Sequence, residues 1–213
     1  MDGTLGDTFP VIFPAFRAAF AKHAGRIYTD LEITRFFGPA ETGVFKEYFP
    51  EQWRECLVTY LDEYELVHPR HARLFPGIEP ALDRLRRKGI RLAIVTGKCP
   101  ESLEITLRFF GIRHYFEAIE TGTDYGPDKP AAMRRIIRRW GFSGREIAYL
   151  GDTVYDILAS REAGVRPLSA GWSDQADRAA LLQANPEKLF QDTGSFLGWI
   201  ESDLDSFESN RDR

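Results

Sequence analysis

Five side chains that could do chemistry lie in four short clusters, widely separated in the sequence. The clusters span residues 2–5, 94–98, 126–130 and 149–156. Each places a carboxylate, a hydroxyl or an amine near a glycine, and the side chains are Asp2, Thr96, Lys129, Asp152 and Asp156. Paired carboxylates bind a hard cation such as Mg²⁺, whereas a hydroxyl, a lysine and free backbone amides donate to phosphate oxygens. Together these groups favour phosphoryl transfer, in which the protein positions groups and neutralises charge.

The clusters can act together only if the fold brings them close to one another. The sequence pattern after residue 75 predicts a fold that does so. Short apolar runs alternate with amphipathic stretches that end in glycine, which is typical of parallel βαβ units. Ligands bind such sheets at the carboxyl ends of the strands, where Thr96, the loop 121–129 and Asp152 fall. The predicted strands span 90–95, 115–119, 146–150 and 165–170, and the predicted helices span 80–88, 100–110, 130–140 and 155–163.

Residues 10–70 have a different pattern, which is helical throughout. Apolar residues recur at helical spacing, Thr29 and Asp30 can cap a short helix, and Pro50 opens a longer one. Residues 38–43 are a loop by composition. We therefore expect an α/β protein with a Rossmann-like parallel sheet flanked by helices and an inserted all-helical cap domain. The expected core comprises residues 1–9 and 71–213, and the expected cap comprises residues 10–70.

In their order and spacing, the four clusters resemble the motifs of the haloacid dehalogenase superfamily of Mg²⁺-dependent phosphatases. The resemblance covers essentially the whole chain. The helical insert resembles the small cap of the phosphoglycolate-phosphatase-like branch, as do Phe-Pro-Gly at 75–77 and Ala-Gly-Val-Arg-Pro at 163–167. Any one cluster is a weak signal, whereas four in the family's order are a strong one.

This resemblance implies which residues bind phosphate. Thr96 would hydrogen-bond a phosphoryl oxygen with help from the Gly97 amide. Lys129 would offset the negative charge on the nucleophile and on the transferring group. The residue after the second cluster's glycine, Lys98, is given no role and is expected to point outward.

The resemblance also implies a metal site and a proton-transfer group. Asp152 would bind Mg²⁺ directly, Asp156 would hold it directly or through a water, and the Asp2 backbone carbonyl would be a further ligand. The Asp2 carboxylate would protonate the leaving alcohol and then deprotonate the hydrolytic water. Taken singly, Asp152 is also compatible with a helix N-cap and Asp156 with a helix-surface charge.

The family's first motif, Asp-x-Asp-Gly-Thr, is only half present. Its first Asp attacks phosphorus and becomes an aspartyl phosphate, and that position would precede Met1, which stands at x. We expect Met1 to be an internal methionine, with a misassigned start having removed an upstream strand and the nucleophile. The alternative is a catalytically inactive module of the family. The other site residues argue against that alternative, because a chain without catalysis has no chemical reason to keep them together.

The expected activity is Mg²⁺-dependent hydrolysis of a phosphomonoester, because a small cap that excludes water favours a small phosphorylated metabolite. A haloalkanoate dehalogenase is the weaker alternative, since halide leaves without the proton that Asp2 would supply. A sugar-phosphate mutase with the same groups stays open.

Composition sets limits on partners and location. The 213 residues include 28 basic and 32 acidic ones, so a net charge of −4 gives no reason to expect nucleic-acid binding. We expect no signal peptide, no membrane span and a cytoplasmic monomer or homodimer in which Cys56 and Cys99 are buried thiols. The four histidines show no metal-binding spacing, and the chain after Glu201 is expected to fray.

Overall fold

Short parallel strands alternate with helices in the computed structural model, which describes residues 1–126, 128–202 and 204. One ladder pairs β3 (Ala93–Val95) with β4 (Ala118–Glu120). A second ladder has the order β5 (Ala148–Gly151), β6 (Arg166–Ala170) and β7 (Lys188–Phe190). A small antiparallel ribbon joins β1 (Gly6–Asp7) to β2 (Arg73–Leu74). The predicted α/β class is confirmed, although these parallel strands form two ladders and not one.

The helices of the α/β part are α5 (Ile78–Arg87), α6 (Pro100–Phe110), α7 (Lys129–Trp140), α8 (Val154–Ala163), α9 (Arg178–Gln183) and α10 (Thr193–Ser202). The first four follow the order that the sequence pattern predicts, whereas α9, β7 and α10 were not predicted. Predicted strand bounds are wrong by up to three residues, as at β4, where residues 113–115 form a 3₁₀ turn. The predicted fraying after Glu201 falls largely outside the described residues.

Helices cover both faces of the first ladder, because neighbouring strand residues point to opposite sides. Ile94 packs with Ile78 and Leu103, on the side of α5 and α6. The next residue, Val95, packs with Met133 and Ala159, on the side of α7 and α8. The loops that follow the strands therefore emerge at one edge between two helical layers, which is where the predicted site residues lie.

The helical insert forms its own apolar cluster. Its helices are α1 (Phe9–Ala24), α2 (Asp30–Ile33), α3 (Glu41–Tyr48) and α4 (Trp53–His71). The cluster contains Phe16, Phe20, Phe45 and Tyr60, and α6 contributes Ile105 to it. The all-helical character of the insert is confirmed, and the insert rests on the α/β part through α6.

The loop predicted over residues 38–43 is partly wrong, because α3 already begins at Glu41. Gly43 lies inside this helix for a packing reason. A Cβ atom there would lie 2.4 Å from the backbone oxygen of Asp124, so only glycine lets the helix approach that loop. Gly43 is therefore needed for a close contact with the loop after β4, and it does not break the helix. None of the described helices is long and apolar enough to cross a membrane.

Candidate active site

Contacts between side chains bring three of the four clusters together. Thr4 Oγ1 donates to Asp152 Oδ1 at 2.8 Å, which joins the first cluster to the fourth across 148 positions of sequence. Lys129 Nζ lies 2.6 Å from Asp156 Oδ1, which joins the third cluster to the fourth. Residue 127, in the third cluster, lies outside the described residues. Both contacts are made at the carboxyl end of β5.

The second cluster joins the first through Lys98. The Lys98 Nζ atom lies 3.3 Å from Asp2 Oδ1, and only 3% of its side chain is exposed. The expectation that Lys98 points outward is therefore wrong. The turn after β3 directs its side chain inward, because the Asp2 carboxylate and the face of the Tyr64 ring, 4.6 Å from Nζ, stabilise the ammonium there.

Thr96 and Gly97 occupy the same turn, and among the described hydrogen bonds neither residue is joined to a carboxylate of the fourth cluster. The Thr96 amide donates to Glu120 O at 3.0 Å, which continues the pairing of β3 with β4. Its buried hydroxyl accepts a hydrogen bond from the Lys98 amide at 3.3 Å. A Cβ atom on Gly122 would lie 2.0 Å from Gly97 O, so the turn is pressed against the loop that follows β4.

The Asp2 carboxylate is half-buried and is held by two side chains. Thr8 Oγ1 donates to Asp2 Oδ1, and the Lys98 ammonium lies on the same oxygen. Burial alone would raise the pKa of Asp2, but the positive charge of Lys98 and the hydrogen bond from Thr8 outweigh it and lower the pKa. The carboxylate is therefore ionised at neutral pH in this arrangement.

The two carboxylates of the fourth cluster have opposite pKa shifts. Burial, reinforced by the nearby charge of Asp156, raises the pKa of Asp152 to about 6. Burial also opposes ionisation of Asp156, but Lys129 and the hydrogen bonds from Thr153 lower its pKa. Of the two, Asp156 carries its charge more firmly, and Asp152 lacks a partner cation of its own at hydrogen-bonding distance in the described residues.

The N-cap of α8 is Thr153 and not Asp152. Thr153 Oγ1 accepts from the Asp156 amide at 3.2 Å, and Asp156 Oδ2 accepts from the Thr153 amide at 3.1 Å, a reciprocal capping box. Asp156 is 2% exposed. Both purely structural interpretations of the fourth cluster, a capping Asp152 and a solvated Asp156, are therefore wrong.

Four residues that make contacts at the candidate site were not predicted to do so. Thr4 and Thr8 follow Asp2 closely, and their spacing from it is the signal that could have identified them. Lys98 follows the glycine of the second cluster, so the sequence places it beside the site. The sequence does not predict the direction of its side chain. Glu41 contacts the turn after β3 from the helical insert, with an oxygen 3.9 Å from Lys98 Nζ, and no sequence spacing announces such a contact.

The fourth cluster suits a divalent cation such as Mg²⁺. It offers a buried carboxylate, Asp156, and a partly buried one, Asp152. Desolvation and the charge of Asp156 both raise the pKa of Asp152, and a bound cation would favour its ionised form. Residue 3 must be glycine here, because a Cβ atom would lie 2.1 Å from Asp152 Oδ2. No three His, Cys, Asp or Glu side chains gather into a metal cage in the described part of the chain. Mg²⁺ needs no such cage, since one or two carboxylates and several waters suffice.

Comparison with known proteins extends the likeness over most of the chain. Residues 1–170 match the family described as haloacid dehalogenase-like hydrolase. A putative pyrophosphatase PpaX from Caldanaerobacter subterraneus subsp. tengcongensis is 29% identical over 175 residues, covering 81% of this chain and 80% of the relative. A phosphoglycolate phosphatase from Haemophilus influenzae is 27% identical over 197 residues, covering 91% of this chain and 78% of the relative.

A solved structure agrees with these sequence matches. A haloacid dehalogenase-like hydrolase from Streptococcus pneumoniae superposes with a TM-score of 0.74 at 26% identity, covering 93% of this chain and 94% of that one. The segment that matches the family includes all four clusters, and the relatives align over most of their own lengths. The chain is therefore an enzyme of the haloacid dehalogenase-like hydrolase family, as the order of its polar clusters predicts.

Proposed function

We propose that this protein is a Mg²⁺-dependent phosphomonoester hydrolase that acts on a small metabolite through an aspartyl phosphate. The observation that carries the proposal is the convergence of distant residues at one edge of the α/β part. Asp2 meets Lys98, Thr4 meets Asp152, and Lys129 meets Asp156. The names of the relatives support a phosphatase, because they include a pyrophosphatase and a phosphoglycolate phosphatase.

Asp2 is the proposed acid and base. Its carboxylate is held by Thr8 and Lys98, so it has one fixed position from which to exchange a proton with the substrate. It would give a proton to the leaving alcohol and later take one from the attacking water. The lowered pKa of Asp2 favours the base in the resting enzyme, and negative charge from a bound phosphate would favour the acid.

Lys129, Thr96 and Gly97 are the proposed phosphate-binding groups. Lys129 already neutralises Asp156 and would share its charge with the transferring phosphoryl group. The Thr96 hydroxyl and the Gly97 amide lie in the turn after β3, where each could donate to a phosphate oxygen after a local adjustment. Their proposed role rests on this position at the strand end.

Asp152 and Asp156, with the Asp2 backbone carbonyl, are the proposed ligands of Mg²⁺. When bound there, the ion would offset the charge of the phosphate and orient its oxygens for in-line attack. Hydrogen bonds already orient both carboxylates, because Thr4 donates to Asp152 and Thr153 donates to Asp156.

The nucleophile is proposed to belong to a strand that precedes Met1. Among the described residues, β3 pairs only with β4, and β5 pairs only with β6. A side chain connects the two ladders instead of a strand, since Tyr149 OH donates to Val95 O at 3.0 Å. An additional strand between β3 and β5 would unite the ladders and bring an aspartate two residues before Asp2 to the site.

The helical insert, residues 10–70, is proposed to act as the cap domain. Its helix α3 approaches the loop after β4, where Lys46 and Thr42 contact Asp124. A cap in this place would exclude bulk water and limit the site to small substrates. The buried free thiols Cys56 and Cys99 are in keeping with a cytoplasmic location.

Hydrolysis of p-nitrophenyl phosphate with Mg²⁺ tests the proposal. We would compare this chain with an extended chain that carries an apolar strand and an aspartate ahead of Met1. A matched control carries asparagine in place of that aspartate. We expect turnover only in the extended chain with aspartate. Equal activity in all three would place the nucleophile elsewhere, and inactivity of all three would favour a non-catalytic module.

A substrate panel separates the remaining classes. We expect a small monoester such as phosphoglycolate to be hydrolysed faster than inorganic pyrophosphate, because Asp2 can protonate an alkoxide leaving group. Pyrophosphate as the better substrate would instead assign the chemistry named for the PpaX relatives. Isomerisation of a hexose phosphate, or release of halide from a haloacid, would identify a mutase or a dehalogenase.

A further inference from the structure

One buried carboxylate has no part in the function proposed above. Glu41, the first residue of α3, is 6% exposed. Its Oε2 atom accepts from the Cys99 amide at 2.6 Å, and its Oε1 atom accepts from Ser102 Oγ at 2.7 Å and from Tyr60 OH at 3.3 Å. A carboxylate is costly to bury unless its oxygens are satisfied, and here three donors satisfy them.

Two of these donors begin α6, which belongs to the α/β part. Helix α6 has no side-chain cap from its own N-cap residue, Cys99. Glu41 supplies an acceptor from the helical insert, and its negative charge suits the positive end of the helix dipole. The amino end of α6 is therefore completed by a residue 58 positions earlier in the chain.

The same contact holds the peptide unit that carries Lys98. The amide of Cys99 belongs to the peptide whose carbonyl is that of Lys98. Glu41 binds the amide side of this peptide, and the Gly122 amide donates to the carbonyl side at 2.8 Å. A peptide held from both sides sets the direction in which the Lys98 side chain leaves the turn, and that side chain reaches Asp2.

We propose that Glu41 is a positioning residue, which docks the helical insert on α6 and thereby keeps Lys98 against the Asp2 carboxylate. The docking role is independent of the reaction. The positioning role rests on the function proposed above, since it matters only if Asp2 transfers protons. The two roles predict different measurements and are tested separately.

Hydrogen exchange of this chain tests docking. We expect Glu41→Ala to speed exchange of the Cys99 amide by about tenfold, because that amide loses a buried acceptor. Glu41→Gln keeps an acceptor oxygen and should leave the rate within about threefold. The control is Glu47→Gln, an exposed carboxylate on the same helix, which should change nothing.

A second variant keeps this test decisive if Glu41→Ala does not fold. Ser102→Ala removes a donor from the α6 side and leaves Glu41 in place, and we expect about threefold faster exchange of the Cys99 amide. Unchanged exchange in Ser102→Ala, together with unchanged exchange or general unfolding in Glu41→Ala, would overturn the docking role.

Kinetics of the extended chain test positioning. We expect Glu41→Ala to lower kcat about tenfold with KM changed less than about twofold, since proton transfer suffers and substrate binding does not. Glu41→Gln should recover kcat to within about threefold of the parent. Unchanged kcat, or a loss confined to KM, would overturn positioning. If the parent itself has no turnover, the proposed function fails, and the exchange result still decides docking.

Discussion

Asp156 illustrates how much one side chain can do in this protein. Its carboxylate accepts from the Thr153 amide and hydroxyl, and it also pairs with Lys129. The same residue therefore completes the capping box of helix α8 and fixes the ammonium proposed to bind phosphate. Sequence spacing was sufficient to predict that Asp156 and Lys129 lie at the same edge, because both follow strands of a parallel sheet. It did not reveal the direction of Lys98, which depends on the geometry of one turn.

Removing the ammonium of Lys129 should destabilise the fold. Lys129→Met leaves the Asp156 carboxylate, 2% exposed, without its partner cation. Breaking one side of a buried ion pair costs about 3 kcal/mol or more, and we expect a loss of that size in the free energy of unfolding. Urea denaturation measures it, with the exposed Lys22→Met as control. Equal stability of Lys129→Met and the parent would mean that solvent already screens the pair.

Asp152→Asn should abolish Mg²⁺-dependent turnover in the extended chain and leave the fold intact. Asparagine keeps an oxygen that can accept from Thr4 Oγ1, so the local hydrogen bond survives while the negative charge is lost. Hydrolysis of p-nitrophenyl phosphate over a range of Mg²⁺ concentrations measures the effect. Circular dichroism checks the fold, and exposed Asp62→Asn is the control. Retained turnover would place the metal elsewhere.

At the level of elements, glycine served as a reliable stop signal but an ambiguous loop signal. Helices α7 and α8 end at the predicted Gly141 and Gly164, both with left-handed backbone angles. Gly43 lies within a helix because another loop approaches it, and this approach is a property of the folded insert. Local pattern therefore predicted where helices end, whereas contacts between distant elements were beyond it.

Gly122→Ala should be strongly destabilising, because the loop after β4 touches the turn after β3. The added Cβ would lie 2.0 Å from the Gly97 carbonyl oxygen, and a backbone atom cannot move aside cheaply. We expect a loss of about 2 kcal/mol or more in the free energy of unfolding. The matched control is Gly198→Ala in α10, where nothing lies within 4 Å of the added atom. If both variants unfold at the same urea concentration, the contact is looser than described.

At the scale of the whole molecule, the sequence was sufficient for the fold class and for the gathering of clusters at the strand ends. The alternation of strands and helices after residue 75 can be read from local sequence. Because ligands bind parallel sheets at the carboxyl ends of the strands, this alternation also predicts where the site lies. The division of the parallel strands into two ladders was not predicted, nor was the docking of the insert through Glu41. Both depend on how separately formed parts meet, and a single sequence carries no local signal for that.

A histidine between the helical insert and helix α6 should make the free energy of unfolding depend on pH. His68, on α4, packs beside Thr106 of α6, and burial, with the positive charges of Lys98 and Arg108, lowers its pKa to about 4. Between the unfolded value of about 6.5 and about 4, only the unfolded chain takes up this proton. Stability should therefore fall as the pH drops through that window, by about 3 kcal/mol in total from this group.

Urea denaturation between pH 4 and 7 measures this dependence. His68→Gln cannot be protonated and should flatten the pH profile, since glutamine removes the titrating group and keeps a polar side chain. The control is His71→Gln, an exposed histidine on the same helix, which should keep the parent slope. If the free energy of unfolding falls equally steeply with pH in both variants, the pH dependence comes from the carboxylates and not from His68.

The separation of the two parallel ladders has a practical consequence. Within the described residues, β3 and β5 each have one strand partner, so a further strand could pair with these edges once the hydrogen bond from Tyr149 OH to Val95 O is broken. We expect an isolated apolar peptide ending in aspartate to add to these edges as a strand, because an exposed sheet edge accepts an extended peptide through main-chain hydrogen bonds. Without such a peptide, an extended segment of a second copy of the chain could pair with the same strand edges. We therefore expect aggregation to increase with protein concentration.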